Sequence, residues 1–404
     1  MKMNAQNLLL ELLVEELPPK ALKKLGEAFG NLLLQSLRSQ GLAGDTSVLT
    51  GFATPRRLAA HVTRVLAVAP DKAQSVKLMP VAVGLAADGS ATPALLKKLA
   101  SLGADASAVP LLKQQPDGKT QALFFDITLR GATLAAGLQQ ALDDTLAKLP
   151  IPKVMQYQLE EGHTPGFQAG WTSVNFVRPA HGLVALHGAD VVPVSALGLQ
   201  AGRITAGHRF EAPKPVITLR DADSYAAQLL DEGAVIASFS ERRASIVQQL
   251  SAAAAKLGLK PIEDEALLDE VTGLVERPNV LLCQFEPEFL AVPPECLILT
   301  MKANQKYFPL LDAAGMLTHQ FLIVSNISPT DASRVIQGNE RVVRPRLADA
   351  KFFFDQDRKK TLESRVPQLA RVVYHGKLGS QVDRAERVRA IGRSEEHTSE
   401  LQSR

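Results

Sequence analysis

The sequence predicts a multidomain α+β protein that begins with an α/β region and ends in a helical one. Its 404 residues exceed what one ordinary core uses, and at roughly 150 residues per domain they predict two or three domains. Up to about residue 328, short apolar runs typical of strands alternate with stretches of helical periodicity. From residue 329 onward the pattern becomes helical and charged, which predicts a separate domain made of helices.

Residues 1–70 form the predicted N-terminal α/β segment. The apolar run at 7–14 fits a buried strand, and Pro18 and Pro19 suit the first turn of a helix that follows it. Leucines and Phe29 then recur at helical spacing up to a stop at Gly41. Residues 47–68 predict two further strands.

Residues 71–328 form the second predicted region, which is α+β. Its patterns predict, in chain order, a helix at 93–102, a turn at 116–119 before a strand at 122–129, a helix at 132–149, a mainly β module at 172–219, two helices within 221–258, and a hairpin turning at 312–316. Residues 329–392 then start the helical domain.

Composition excludes several classes of protein. Apolar residues make up 46% and charged residues 22%, as in ordinary globular domains. The two cysteines, Cys283 and Cys296, are too few for a disulfide framework and predict neither a disulfide nor a metal site. Glutamates interrupt the N-terminal apolar run, and no stretch reaches the ~18 apolar residues of a membrane span. We therefore expect a soluble cytoplasmic protein that does not bind membranes.

Positive charge is concentrated near the C-terminus. Between Arg334 and Arg393 there are 15 Lys and Arg residues against 7 Asp and Glu residues, although the whole chain carries only +3. Such a segment predicts contact with a polyanion, and a solvated helix face with ion-paired partners is the alternative.

Sequence motifs for nucleotide activation and hydrolysis are absent. The chain has no GxxxxGK[ST] phosphate loop, no GxGxxG after a strand, and neither HIGH nor KMSKS. It also lacks the GxSxG and HExxH motifs of hydrolases and metalloproteases. We therefore assign no catalytic residue, no metal ligand and no cofactor to this chain.

The first candidate site lies in the run GRITAGHRF. Arg203, His208 and Arg209 stand beside two glycines that let a ligand approach the backbone, and such side chains contact phosphate or ribose. The alternative is a turn whose histidine hydrogen-bonds to the backbone.

The second candidate site lies in MKANQKYF. Lys302, Gln305 and Lys306 precede two aromatic residues, a combination typical of proteins that bind single-stranded RNA. The aromatic residues also open an apolar strand, so a role in the core is the alternative.

The third candidate site is an arginine cluster. Arg341, Arg344 and Arg346 lie within six residues, Lys351 follows, and the phenylalanines at 352–354 are expected to anchor the segment in a core. Arginine is suited to bidentate phosphate contacts. Ion pairing with neighbouring acidic residues is the alternative.

Eight runs, spread in order along the chain, together resemble the beta subunit of bacterial glycine–tRNA ligase. They are LELLVEELPPK (10–20), FATPRRL (52–58), FVRPAHGLVAL (176–186), GRITAGHRF (202–210), EVTGLVERP (270–278), FLAVPPECLILTMKANQKYF (289–308), GNERVVRPRLADAKFF (338–353) and LGSQVDRAER (378–387).

The resemblance implies a role as one subunit of an α₂β₂ ligase. In that family the alpha subunit makes glycyl-adenylate, so ATP and Mg²⁺ are expected there and not in this chain. The beta subunit recognises tRNA(Gly) and is needed for charging. The resemblance also implies a B3/B4-like module within 71–328 and the start of an HD-like helical domain at 329–392, without its metal ligands.

Two other functions remain open from the residues alone. One is an RNA-binding or scaffold module with no ligase role. The other is a degenerate HD-type phosphohydrolase, against which stands the absence of any His followed directly by Asp.

Residues 393–404 do not continue the preceding pattern. RSEEHTSELQSR resembles the translation of a sequencing adaptor. We expect this tail to be non-native and the natural protein to continue beyond Gly392.

Overall fold

The computed structural model describes residues 5–86, 88–118, 120–160 and 167–402, and the chain divides into two compact units. The first unit contains Met1–Ile246, Leu268–Asn279 and Asn326–Ser328. The second unit contains Val247–Leu267, Val280–Ser325 and Pro329–Arg404. Because the chain crosses between them several times, neither unit is one continuous segment.

A five-stranded antiparallel sheet forms the centre of the first unit. Its strands are β1 (Ala5–Val14), β2 (Leu49–Thr54), β3 (Arg57–Leu66), β9 (Ala180–His187) and β10 (Asp190–Val191), in the order β10-β9-β1-β3-β2. Seven consecutive residues of β1, from Leu8 to Val14, are buried. The predicted N-terminal strand is therefore confirmed, and its unbroken apolar run is explained by burial on both faces.

Helices α1 (Pro19–Ser39) and α4 (Leu134–Lys148) pack together, and their apolar residues join one core with the sheet. Leu8, Leu10 and Leu12 of β1 belong to this core, whereas Leu9 points into a second core on the opposite face with Tyr225. Leu9 and its neighbours enter different cores because successive side chains of a strand point to opposite faces of the sheet. The predicted helix, with its leucines at helical spacing, is confirmed.

The predicted α/β start does combine strands with a helix, and its sheet is antiparallel. Strands β1 and β2 run in the same direction with α1 between them in the chain, as in an α/β unit, but β3 lies between them and pairs antiparallel with both. A strand–helix–strand pattern in the sequence does not reveal whether a later strand inserts between the first two. The sequence alone therefore could not distinguish adjacent parallel strands from this antiparallel sheet.

A small module with its own core lies between β3 and α4. It consists of β4 (Lys72–Pro80), α2 (Val81–Gly84), α3 (Pro93–Ala100), β5 (Lys113–Asp117) and β6 (Thr120–Leu129), with the sheet order β4-β6-β5. The predicted helix at 93–102 and the strand after the Pro-Asp-Gly turn are confirmed; Lys119 lies outside the described residues. Strand β4 was missed because most of its side chains are exposed and show no apolar alternation.

The rest of the first unit is mainly β, as predicted for residues 172–219. Its strands are β7 (Met155–Gln158), β8 (Ser173–Phe176), β11 (Ser195–Ala196), β12 (Leu199–Gln200), β13 (Ile204–Ala206) and β14 (Val216–Thr218). The helices that follow are α5 (Tyr225–Asp231), α6 (Phe239–Ala255) and α7 (Glu265–Thr272).

The second unit is built on a four-stranded sheet. Its strands are β15 (Lys260–Pro261), β16 (Asn279–Gln284), β17 (Phe308–Leu311) and β18 (Leu317–Ser325), in the order β15-β17-β18-β16. Strands β17 and β18 form the predicted hairpin, which turns through Gly315 at a φ of +78°. Helices α8 (Pro294–Thr300) and α9 (Ser333–Arg358) complete its core.

The predicted all-helical character of residues 329–392 is only partly correct. Helices α9, α10 (Leu362–Arg365) and α11 (Gln381–Gln402) account for most of this segment, but β19 (Val373–His375) and β20 (Gly379–Ser380) form a hairpin. Gly379, at a φ of +86°, allows the chain to turn there. Helix α11 continues into the 393–404 tail. No helix in the described ranges has both the length and the apolar character needed to cross a membrane.

Candidate nucleic-acid interface

The structure places the ten predicted RNA-binding residues in two separate groups. Arg203, His208 and Arg209 belong to the first unit, whereas the other seven belong to the second. Each group is therefore a candidate contact of its own.

His208 has the structural role that the sequence left open as an alternative. Its side chain is 2% exposed, and its Nδ1 accepts hydrogen bonds from the backbone N–H groups of Phe210 and Glu211, at 3.2 Å each. Beside it, a Cβ on Gly207 would lie 2.6 Å from the Cβ of Ala212, so close packing requires glycine there. His208 therefore shapes the turn and presents no ring edge to a ligand.

The two arginines of this run differ in availability. Arg203 donates to the carbonyl of Ala189 at 2.6 Å, so its guanidinium is engaged by the protein's own backbone. Arg209 is half exposed and lies 3.2 Å from Glu15, which also contacts His181. Of this group, Arg209 is the residue that a phosphate could reach.

A buried charged cluster, which sequence analysis missed, lies at the centre of the first unit. Arg57 is fully buried, with Nη1 3.6 Å from Glu11 and Nη2 3.3 Å from Glu276. The same Nη2 donates to the carbonyl of Ala206 at 2.8 Å. Thr205 and Tyr225 donate hydroxyl hydrogen bonds to Glu11. We call Glu11, Arg57 and Glu276 the buried triad.

The buried triad joins four of the eight runs that carry the family resemblance. Glu11 comes from the first, Arg57 from the second, Ala206 from the fourth and Glu276 from the fifth. A charged residue inside a strand buried on both faces was the signal available in the sequence, because Glu11 interrupts an otherwise apolar run.

Two carboxyl groups keep the guanidinium of Arg57 charged despite its burial. Burial alone would lower the pKa of Arg57, but the nearby carboxyl groups of Glu276 and Glu11 raise it above its ordinary value. Burial, and then the charge of Glu11, raise the pKa of Tyr225 well above 10. Neighbouring Arg242 donates to backbone carbonyls, and burial lowers its pKa to about 10. Both guanidinium groups are therefore protonated at neutral pH.

In the second unit, the MKANQKYF run forms an unusual turn. Helix α8 continues into a π-helical turn, Met301–Gln305, which ends at Lys306 in the left-handed conformation, with φ 60° and ψ 34°. Lys302 pairs with Asp264, and Lys306 Nζ donates to the carbonyl of Ala303 at 3.0 Å. We call residues 301–306 the π-turn.

The aromatic residues after the π-turn belong to the core. Tyr307 and Phe308 are 4% and 2% exposed, and the ring of Tyr307 stacks on Phe321 with centroids 4.8 Å apart. Burial raises the pKa of Tyr307 to about 12, and its hydroxyl donates to Asn339 at 2.7 Å. These rings are not available for stacking with RNA bases, so the alternative stated for them is confirmed.

Helix α9 separates the arginines that the sequence placed together. Val343 and Leu347 are fully buried and set its inward side. At ~100° per residue, Arg344 and Arg346 lie ~160° apart on opposite flanks of that side, whereas Arg341 is one turn from Arg344. The three arginines therefore do not form one compact cluster.

These cations also differ in their partners. Arg344 lies 2.5 Å from Glu286, and Lys351 lies 2.8 Å from Asp355 one turn further along α9. The hydrogen bond from Arg344 and its charge lower the pKa of Glu286. Arg341 and Arg346 are exposed and have no ion pair in the described part of the chain.

The expected aromatic anchor of α9 is only partly correct. Phe354 packs against the core of the second unit, but Phe352 and Phe353 are 57% and 64% exposed. Their rings contact each other edge to face, with centroids 5.5 Å apart. Phe352 lies three turns from Arg341, so a cation and an aromatic ring share the outward side of the helix.

Within the described residues, no three His, Cys, Asp or Glu side chains come together as they would around a metal ion. The phosphohydrolase alternative would require such a group.

Comparison with known proteins identifies similar chains. A family model described as glycyl-tRNA synthetase beta subunit matches residues 8–400. A protein of Leptothrix cholodnii named glycine–tRNA ligase beta subunit is 75% identical over 390 residues, which cover 96% of this chain and 54% of that protein.

Two further relatives carry the same name. The protein of Acidovorax sp. strain JS42 is 70% identical over 395 residues, covering 97% of this chain and 54% of its own length. The protein of Dechloromonas aromatica is 67% identical over 402 residues, covering 97% and 55% respectively. The chain thus spans about half the length of the curated relatives it matches.

Proposed function

This chain belongs to the glycyl-tRNA synthetase beta subunit family, and from that premise we propose that it binds tRNA(Gly) and positions its 3′ end for ATP-dependent glycylation in the active site of an alpha subunit. The partner is the alpha subunit of an α₂β₂ glycine–tRNA ligase. Glycine, ATP and Mg²⁺ bind to that subunit. This chain contributes orientation of the tRNA, which accelerates a reaction between two large molecules.

The exposed cations of α9 are the observation that carries this proposal. Arg341 and Arg346 are open to solvent with no described ion pair, and Arg344 and Lys351 hold only exposed ones. Because exposed ion pairs contribute little stability, a phosphate can replace the carboxylate at small cost. The helix itself is fixed by Val343 and Leu347, so these side chains project from a rigid element.

The π-turn supports a second contact with RNA. A lysine in the left-handed conformation is uncommon, and a π-helical turn is rarer still; both concentrate at functional sites. Here they bring Lys302, Gln305 and Lys306, all partly exposed, into one turn of six residues. We propose that this turn contacts the RNA backbone, and not its bases, because the rings that follow are buried.

The remaining parts of the fold have proposed assignments as well. The mainly β region within 71–328 is the B3/B4-like module, supported by its run of short antiparallel strands. Residues 329–392 begin an HD-like domain, supported by α9 and α11. We further propose that the protein works in the cytoplasm, where tRNA is charged.

Replacing Lys306 with glycine separates a binding role from a structural one. Glycine adopts the left-handed conformation without the clash of a Cβ, so we expect the free energy of unfolding to rise by about 1 kcal/mol. Removal of the cation is expected to weaken binding of tRNA(Gly) several-fold at low salt. Urea denaturation and fluorescence anisotropy with end-labelled tRNA(Gly) measure the two effects.

Lys306→Ala is the matched control for this variant, because it removes the cation and keeps the strained backbone. It is expected to bind tRNA as weakly as Lys306→Gly without becoming more stable. If both variants bind tRNA(Gly) like the unaltered protein, the π-turn does not contact RNA. If the unaltered, folded chain itself fails to bind tRNA(Gly) in low salt, the proposed function is wrong.

A further inference from the structure

Strand β2 presents an open edge of the five-stranded sheet. It is the outermost strand, and within the described residues it pairs only with β3. The N–H of Thr63 donates to the carbonyl of Val48 at 2.9 Å, so residues 48 and 63 face each other as a hydrogen-bonded pair where β2 and β3 meet. Because hydrogen-bonded and non-bonded pairs alternate, Leu49, Gly51 and Ala53 point their N–H and C=O groups away from the sheet.

The open part of this edge is short and well defined. The Ala53 carbonyl accepts a hydrogen bond from the fully buried Arg242 at 2.7 Å, so α6 covers that end. Leu49 and Gly51 have no described hydrogen bond on the outward side, and Gly51 is exposed. Two residues with outward backbone groups therefore remain for an incoming chain.

A groove runs beside this edge. Its volume is about 320 Å³, and Gly26 and Gly30 of α1, Gly51 of β2 and Phe239 at the start of α6 are among its lining residues. The α1 glycines let that helix approach the strand closely, since a Cβ on Gly26 would lie 2.5 Å from the Cβ of Ala53. Gly51 leaves open the space where a side chain would stand.

We propose that β2 takes up an extended segment of a partner protein as a sixth strand of this sheet, and that the partner is the ligase alpha subunit. The first part rests on the alternation of donors and acceptors at Leu49 and Gly51, which matches the two-residue repeat of an extended peptide. The choice of partner rests on the proposed function.

The lining of the groove favours a peptide over RNA. Its single cation, Lys23, already lies 2.9 Å from Asp269, and Glu27 contributes an opposite charge. A phosphate chain would therefore meet little net positive charge there. A peptide backbone needs only the hydrogen bonds and the space that the glycines provide.

Two substitutions at Gly51 test this inference. Gly51→Pro removes the outward N–H and leaves the β2–β3 hydrogen bonds in place, because proline is tolerated on an edge strand. Gly51→Ala keeps the N–H, and its Cβ would meet only the Gly26 carbonyl oxygen at an ordinary 3.9 Å. We expect Gly51→Pro to bind the alpha subunit at least tenfold more weakly than the unaltered chain, and Gly51→Ala to bind within about twofold of it.

Hydrogen exchange of the unaltered chain provides the second readout. On addition of the alpha subunit, the amides of Leu49 and Gly51 are expected to become protected. If the alpha subunit binds, these amides exchange as before and Gly51→Pro binds normally, the strand-addition proposal is overturned and the proposed function stands. If the folded chain does not bind the alpha subunit, both fail. Protection of the same amides by tRNA(Gly), and not by the alpha subunit, would replace the peptide with RNA.

Discussion

Arg57→Ala is expected to lower the free energy of unfolding of the first unit by about 3–5 kcal/mol, the effect of breaking a buried ion pair from one side. Arg57 is fully buried between Glu11 and Glu276 and also donates to the Ala206 carbonyl. Its removal leaves two buried carboxyl groups without their cation. Urea denaturation followed by circular dichroism measures the change in stability, and hydrogen exchange of the β1 amides assigns it to this unit.

Two controls accompany this variant. Arg57→Lys keeps the positive charge but loses the guanidinium group that reaches both glutamates. It is therefore expected to destabilise the unit less than Arg57→Ala does. Lys214→Ala removes an exposed lysine that is paired with Glu232, and it is expected to change stability little. An Arg57→Ala protein as stable as the Lys214→Ala protein would mean that the buried triad does not hold the unit together.

The second large effect concerns tRNA binding. Simultaneous replacement of Arg341, Arg344 and Arg346 with alanine is expected to weaken binding of tRNA(Gly) on the order of tenfold or more at low salt. It should also flatten the dependence of affinity on salt, by roughly 0.7–0.9 in log–log slope for each phosphate that is no longer neutralised. Because Arg344 and Arg346 lie on opposite flanks of α9, we expect about two phosphates to be affected and not three.

The matched control removes three cations elsewhere. Lys97, Lys98 and Lys148 are exposed on α3 and α4 of the first unit, and their joint replacement with alanine lowers the net charge by the same amount. Fluorescence anisotropy with tRNA(Gly) across a salt series compares the two triple variants. Equal slopes for both would show that binding follows total charge, and the assignment to α9 would then be wrong.

Helices and turns could be predicted where the residues of one continuous segment show the full pattern of apolar spacing or turn residues. The leucines of α1 recur at helical spacing because one face of the helix packs on the sheet. The hairpin at 312–316 was predicted from a glycine turn between apolar runs, and Gly315 adopts the expected positive φ. Strand β4 gave no such signal because most of its side chains face solvent.

Features formed by distant residues could not be predicted in the same way. Strand β9 pairs with β1 across more than 160 residues of chain, and nothing in either strand specifies the other. The buried triad likewise unites residues 11, 57 and 276. Charged residues inside apolar strands mark positions that need a buried partner, but single residues do not identify which partner.

In the candidate site, closeness in sequence was a poor guide to which side chains lie together and which are available to a ligand. Proximity in sequence suggested an arginine cluster, but two residues along a helix turn the side chain to the opposite flank. His208 and the aromatic residues after the π-turn proved structural, as the alternatives stated for them allowed. Arg209, the polar residues Lys302, Gln305 and Lys306 of the π-turn, and the outward cations of α9 remain the predicted RNA contacts.

Glycine charging by a chimaeric ligase measures whether this chain positions tRNA(Gly) for the alpha subunit. The matched half of the Leptothrix cholodnii beta subunit is replaced by residues 1–392 of this chain, and tRNA(Gly) charging is measured with that organism's alpha subunit. We predict kcat/KM close to that of the unaltered relative, and a marked decrease when Arg341, Arg344 and Arg346 are replaced in the chimaera. A folded chimaera that binds the alpha subunit but leaves tRNA(Gly) uncharged would show that this chain does not position the tRNA as proposed.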